Sequence, residues 1–403
     1  MTGAMYAAIA GLRTHMSKMN VIGNNIANVN TNGYKTQRTI FQDAMYTMYS
    51  GGSDGTSTTG GRNPSQIGYG SQIAAIDINM TTGTFTPGRP TDCMVVGDGF
   101  LMVGDKDVQI DPNNPESLKS LKLTRVGDLE FKADGYLCDG RGNPVYGFLT
   151  TGVDKDGKPI VSDQLVPIRL PKMEKMYINK NNPADPPLTQ AEYDKGIKDG
   201  TLKAEDFKSQ VTIKYPSDKV DPADPDSDYK PLADYQQKDA NGNLIDMPFA
   251  QLDGISINPE TGAITGTTKD TDEEITIGFL AIGNVTNPNG VTHDEGFYYT
   301  AGEGSGDLTV SLLGGVGKDL GLNRVNGSLY KPDPNTPDAI QSDKMLIGNS
   351  GETKIMPGGL EGSNVELAAE ISEMITTQRG YQANTRIITV TDAMLEELVN
   401  IKR

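Results

Sequence analysis

Histidine and cysteine are the side chains that most often carry metal or nucleophilic chemistry, and this sequence has two of each: His15, His293, Cys93 and Cys138. So small a set leaves a His-based metal or catalytic site improbable. Two cysteines are too few for a disulfide framework and read as isolated, semi-buried thiols, with a single bridge as the alternative. Asp154-Lys155-Asp156-Gly157 and Asp239-Ala240-Asn241-Gly242-Asn243 have the opening spacing of a calcium loop. Neither is followed by the bidentate Glu and flanking helices that close such a loop, so both read as turns. Asp221, Asp224, Asp226 and Asp228 read as a solvated loop, with weak cation binding as the lesser reading. Gly315-Val316-Gly317-Lys318 lacks the earlier Gly and the following Ser or Thr of a phosphate loop. No Gly-x-Ser-x-Gly elbow is present. The expectation is a chain that is not an enzyme, with no catalytic, cofactor-binding or metal-binding residues.

The elements that would position any site stand out more clearly at the two ends. Met5, Leu12, Met19 and Ile26 recur every seven residues, with Ile9 and Met16 at the alternate positions. That period keeps an apolar seam on one side of a helix expected over about residues 3–29. Asn28, Asn30, Thr31, Asn32 and Gly33 then supply turn chemistry that stops it. Near the other end Leu367, Met374, Tyr381, Ile388 and Leu395 are again seven apart, on a helix expected to run about 40 residues, roughly 60 Å. Ser363 with Glu366 three residues on reads as a capping box. Gly380 lies inside that helix, where it costs about 1 kcal/mol relative to Ala; a close helix contact would account for it. Gln378, Thr385 and Asp392 are assigned to the alternate seam positions. Residues 1–42 carry four bases and no acid, and residues 361–403 carry seven acids and four bases. The two ends are thus matched in charge as well as in seam, either as core helices of one domain or as a coiled coil of the chain ends.

Between them the pattern changes. The 403 residues have a net charge of −17, many glycines and no Trp, which speaks against a nucleic-acid or anionic-membrane partner. No run is long enough for a membrane span, and the N-terminus lacks the charged leader and apolar core of a cleaved signal peptide. Short alternating strands with Gly turns fill the middle. The fold class expected is α+β and multidomain, with long terminal helices forming a coiled-coil-like pair around nested, mainly antiparallel β domains. Four regions follow: 1–42 with 358–403 as a helical domain; 43–72 as a Gly/Ser-rich arm, either a linker or an arm ordered by a neighbour; 73–170 with 251–357 as a β-rich domain; and 171–250 as an inserted, Pro- and Asp-rich outer domain.

Asn24-Asn25-Ile26-Ala27-Asn28-Val29-Asn30-Thr31-Asn32-Gly33-Tyr34-Lys35 closely resembles the N-terminal signature of the bacterial flagellar rod and hook proteins. The stretch from Ser363, SNVELAAEISEMITTQRGYQANTRIITVTDAMLEELVNIKR, resembles the matching C-terminal signature. VGDGFLMV, LTRVGDLEFKADGYLCDGRGNPVYG and GGRNPSQIGYGSQI are similar to internal motifs of the same family. The resemblance implies a tubular helical homopolymer, terminal helices lining the inner tube and β domains outside. It further implies export without a cleaved signal peptide through the flagellar type III apparatus, an extracellular location, and contacts with rod proteins, the hook cap and the hook–filament junction proteins. The large insert favours a hook subunit, a universal joint transmitting motor torque to the filament, over a distal rod subunit, a rigid shaft. A secreted β-rich enzyme or adhesin is the reading from another class.

The residues expected to carry subunit assembly are Leu12, Met16, Met19, Ile26, Leu367, Ile371, Met374, Tyr381, Ile388 and Leu395, for apolar burial. Asn24, Asn25, Asn28, Gln378, Arg379 and Asn384 are expected to fix register between subunits. Ordinary helix surface is the plainer reading of each, and Arg379 is nearly as well suited to an intrahelical pair with Glu373 or a neighbour.

Overall fold

The computed structural model describes residues 2–106, 110, 118–153, 159–180, 188–203, 206–216, 237–238, 244–245, 247–269, 272–313, 332–333, 336–340 and 353–401. The chain divides into two compact units: Met1–Thr84 with Gly362–Arg403, and Phe85–Glu361. The calcium-like runs at 154–157 and 239–243, the aspartates at 221–228 and the glycines at 315–317 lie outside the described residues.

The first unit holds a helix at each end of the chain, α1 (Thr2–Ala27) and the last helix (Leu367–Ile401). A short helix, α2 (Gln190–Lys198), belongs to the second unit, so the last is α3. At 35 residues α3 is about 52 Å long. It starts at Leu367, later than Ser363 would set it; the Ser363 hydroxyl instead accepts from the Val365 N–H in a local turn at 3.3 Å. α1 ends where the side chain of Asn28 folds back on the carbonyl of Asn24 at 2.9 Å, and Gly33 reverses the chain at φ 70°, a conformation that favours Gly.

The two helices run antiparallel. Gly11 faces Asn384, His15 faces Gly380 and Asn25 bonds Glu370, so position rises on one helix as it falls on the other. Along α3 the less exposed positions, apart from Gly380 beside Tyr381, are Glu370, Met374, Thr377, Tyr381, Asn384, Ile388, Thr391 and Leu395. That is an unbroken alternation of four and three residues, the period of a heptad seam. Met374, Tyr381, Ile388 and Leu395 are where the seven-residue repeat put them. The alternate positions are Glu370, Thr377, Asn384 and Thr391, whereas Gln378, Thr385 and Asp392 are exposed. The step that follows each large apolar residue is three residues, not four, and a repeat of seven alone does not distinguish the two.

After α1 the chain forms a long two-stranded antiparallel ribbon. β1 (Gln37–Asp43) pairs β4 (Ser71–Ile78), and β2 (Tyr46–Ser50) pairs β3 (Ser65–Gly68). Hydrogen bonds at Ala44–Gly70 and Tyr69–Met45 make the two pairs continuous. The proximal half packs on α1, where a Cβ on Gly70 would stand 3.0 Å from the Cβ of Ala10 and from the carbonyl of Ala7. The distal half is exposed on both faces.

The second unit is a strand assembly with a core of its own. Among the described residues its largest sheet has ten strands, with every pairing antiparallel. The hub is the strand Glu274–Val285, which pairs with Tyr146–Val153, Ala263–Thr268, Phe100–Val103 and Leu308–Leu312. Its seven central residues, Ile277 to Gly283, are shielded on both faces, so the strand reads as an apolar run instead of an alternation. Arg125, also fully buried, stacks on Phe100 at 5.2 Å, donates to the carbonyl of Val95 at 3.2 Å and lies 4.0 Å from Glu361. Lys172–Asn179 lies between Leu188–Thr189 and Phe207–Lys214 in a separate three-stranded sheet, which carries α2. α2 is started by a true capping box between Thr189 and Glu192. Cys93 and Cys138 are both free and buried, and burial pushes the Cys93 thiol up to about 12. Among the described residues no helix is long and apolar enough to cross a membrane.

Candidate assembly interface

The expected assembly residues fall into three groups within the first unit. The first is a polar knot where α1 ends. Asn25 is 1% exposed. Its amide donates to the Gln37 carbonyl at 2.9 Å and to Glu370 at 3.1 Å. Its side-chain oxygen accepts from the Gln37 N–H at 3.0 Å and from the Tyr34 hydroxyl at 3.0 Å. Asn24 donates to the same Tyr34 oxygen at 3.1 Å, and Asn28 bonds back to Asn24. Asn364, just ahead of α3, accepts from the Thr36 N–H at 2.8 Å and donates to the carbonyl of Asn79 at 2.9 Å. The buried Lys35 ammonium caps the Thr81 carbonyl at 2.8 Å. A signature rich in Asn thus ties the end of α1, the base of the ribbon and the approach to α3 inside one chain. Burial, with the Glu370 charge nearby, pushes the Tyr34 hydroxyl up to about 12. Burial also raises the Glu370 carboxyl above its ordinary range, opposed by the Asn25 bond.

The second group is the helix seam. Leu12, Met19, Ile26, Met374, Tyr381, Ile388 and Leu395 are half-buried along α1 and α3, as is Asn384. The fully buried positions of α1 are mostly small or polar: Ala8, Gly11, Thr14, Ile22 and Asn25. Lys18 pairs with Glu373 across the helices. His15 stands edge-on to Phe41 of β1 at 5.9 Å, with its Nδ1 buried and unpaired. Burial, with help from Lys18, lowers its pKa.

The third group is exposed. Met16, Leu367, Ile371, Gln378 and Arg379 face outward in the single chain. At 100° per residue, Leu367, Ile371 and Ile375 make a stripe about 90° to one side of the α3 seam. Ile387, Val390, Met394, Leu398 and Ile401 make another about 90° to the other side, all of them exposed. The distal ribbon adds Met45 at 82% and Tyr49 at 73% exposure, with Ile67 and Tyr69 on the face of Met45, and Tyr49 at a break in register. No seven-residue repeat marks these ribbon residues, and nothing in the sequence marks Asn364 or Gly11 as contact positions. Tyr34 was visible only as part of the signature.

Two family models match these segments. Residues 5–35 match one described as flagella basal body rod protein, and residues 356–401 match one described as flagellar basal body rod FlgEFG protein C-terminal. Over 100% of both chains the sequence is 26% identical to the flagellar hook protein FlgE of Borreliella burgdorferi. It is 27% identical to FlgE of Escherichia coli K12 over 99% of this chain and 100% of that one. At both ends and over its full length, the chain is similar to the flagellar hook and rod protein family. Within that family it is also 26% identical to the basal-body rod protein FlgG of Bacillus subtilis, over 100% of each chain. A hook protein FlgE2 structure from Helicobacter pylori aligns over 68% of this chain at 12% identity with a TM-score of 0.32, too loose a fit to inform the fold. The two segments that match the family's models are thus the two helices and the knot that joins them.

Proposed function

We propose that this chain is a structural subunit of the bacterial flagellar hook, assembling with copies of itself into a curved, flexible tube that passes motor torque to the filament. The observation that carries this reading is the mismatch in the first unit between what it buries and what it exposes. Its helices bury mostly small and polar residues against each other, yet α3 carries two apolar stripes outside its seam and the ribbon carries bare aromatic and Met side chains. Burying such side chains at about 25 cal/mol per Å² drives association, and patches of this kind on a soluble chain mark interaction surfaces. In the tube, α1 and α3 form a coiled-coil-like pair in the inner wall, neighbouring copies cover the stripes, and the distal ribbon orders against a neighbour. Before assembly the ends are largely unfolded, because two helices and a ribbon bury too little to offset their ordering entropy. That suits export as an unfolded chain through the type III apparatus. Rod proteins and the cap and junction proteins are the partners at the ends of the tube.

A distal rod subunit is the second reading, favoured by the full-length similarity to FlgG. The insert, whose described residues include a sheet and a helix of their own, favours the hook, since rod subunits are generally shorter and lack a large outer insert. Electron microscopy of the purified, polymerised protein separates the two. Curved tubes of uniform diameter are expected; straight ones would transfer the chain to the rod, and persistent monomers would defeat both readings.

A further inference from the structure

A seven-residue repeat does not by itself fix how two helices align, because sliding one by seven residues returns similar side chains to the seam. The α1–α3 pair contains a feature that breaks this degeneracy. A Cβ on Gly380 of α3 would stand 2.8 Å from Cε1 and 2.9 Å from Nε2 of His15. A Cβ on Gly11 of α1 would stand 2.7 Å from the Asn384 amide nitrogen. The two contacts are reciprocal: each helix offers a glycine, and four residues further along its own chain, the side chain that fills the partner's glycine seat. Gly23 of the same helix has nothing within 4 Å of its Cβ, so this closeness is not general to glycines of the pair.

We infer that His15–Gly380 and Gly11–Asn384 form a double lock that sets the axial register of the terminal helix pair. In the observed alignment the facing positions add to a constant, and a slide of seven residues has two outcomes. In one, His15 meets Ile387 and Asn384 meets Lys18; in the other, His15 meets Glu373 and Asn384 meets Ala4. Gly380 is the only one of these α3 seats without a side chain, so the imidazole fits at one alignment. The ring cannot swing away freely, because Phe41 of β1 stands edge-on to it. Shifts of three or four residues exchange the large seam residues of α3 for Glu370, Thr377, Asn384 and Thr391, and lose apolar burial. The lock therefore holds the two exposed stripes of α3 at one axial offset from α1. Resting on the subunit reading above, it fixes the spacing of the surface that neighbouring copies meet.

The test is cross-linking in the full-length chain carrying Lys18→Cys and Glu373→Cys, an ion pair across the helices; Cys93 and Cys138 are buried and stay out of the reaction. Yields are read with a short thiol cross-linker, separately in pelleted polymer and in the soluble fraction. Adding Gly380→Leu is expected to lower the yield about tenfold, the scale of an overpacked contact. Adding Gly23→Ala should leave it unchanged, and His15→Ala together with Gly380→Leu should restore it. Undiminished cross-linking in the Gly380→Leu chain overturns the lock, and so does failure of His15→Ala to rescue, whether or not the single variant folds. A chain that never pellets but shows this pattern in solution keeps the lock and defeats the assembly reading.

Discussion

Asn25 shows how one residue type can be required by a site without any chemistry being done there. Its amide meets a carbonyl and a carboxylate while its oxygen meets an N–H and a hydroxyl, and only an amide side chain supplies both donors and acceptors at that length. Asn25→Ala leaves four partners unmatched, two of them backbone groups. It should cost about 2–4 kcal/mol, read as a lower thermal dissociation midpoint of the polymer; an unchanged midpoint would show that the knot does not stabilise the assembled chain. Two titrating groups nearby act in opposite directions. The pKa of His15 is lowered from 6.5 in the fold, so its contribution is intact above pH 6.5 and is lost as pH falls below it. Glu370 is raised from 4.5, so the fold gains stability as pH falls toward 4.5. Helix content followed from pH 7.5 to 4 should fall less in His15→Gln than in the parent chain. In Glu370→Gln, which keeps the acceptor for Asn25, helix content should be higher at pH 7 and converge with the parent near pH 4.

At the scale of elements, α3 and the ribbon are unfinished surfaces. An isolated two-stranded ribbon is marginal in water, and this one extends past its helix with Met45, Ile67 and Tyr69 on one face and Tyr49 exposed at a break in register. Replacing Met45 and Tyr49 with Ser removes apolar surface that does no packing inside the chain. The soluble chain's circular dichroism should not change, while the critical concentration for polymerisation rises several-fold at about 1–2 kcal/mol per buried side chain. Val390→Asp with Met394→Asp should be more severe, abolishing pelletable polymer, because a charge in a desolvated helix contact is costlier than a missing methyl. Assembly of that variant at the parent concentration would show that the C-terminal stripe faces solvent in the tube.

At the scale of the molecule, the second unit has its own core around the strand Glu274–Val285, from Val95 and Leu101 to Ile282 and Ile355. Residues 85–361 expressed alone should therefore unfold cooperatively as a monomer, with sedimentation unchanged up to high concentration. The full chain lacking residues 2–30 should retain that transition and fail to polymerise, because α1 supplies half of the helix pair and of the knot. Normal tubes from the deletion would refute the assembly role of α1.

What the sequence determined by itself was periodic or local. The repeat of seven placed both terminal helices, the Asn-rich run stopped the first, and Gly-punctuated alternation announced antiparallel strands, because side-chain period follows directly from backbone geometry. The tertiary structure decided whatever depends on residues far apart in the chain. It chose Thr377, Asn384 and Thr391 over Gln378, Thr385 and Asp392 as the alternate seam positions, since a period of seven is silent about whether three or four residues come first. It drew Asn25, Tyr34, Asn364 and Glu370 together across more than 300 residues. It also gave Gly380, legible only as a helix weakness, its reason: the imidazole of His15 occupies the space where a side chain would stand.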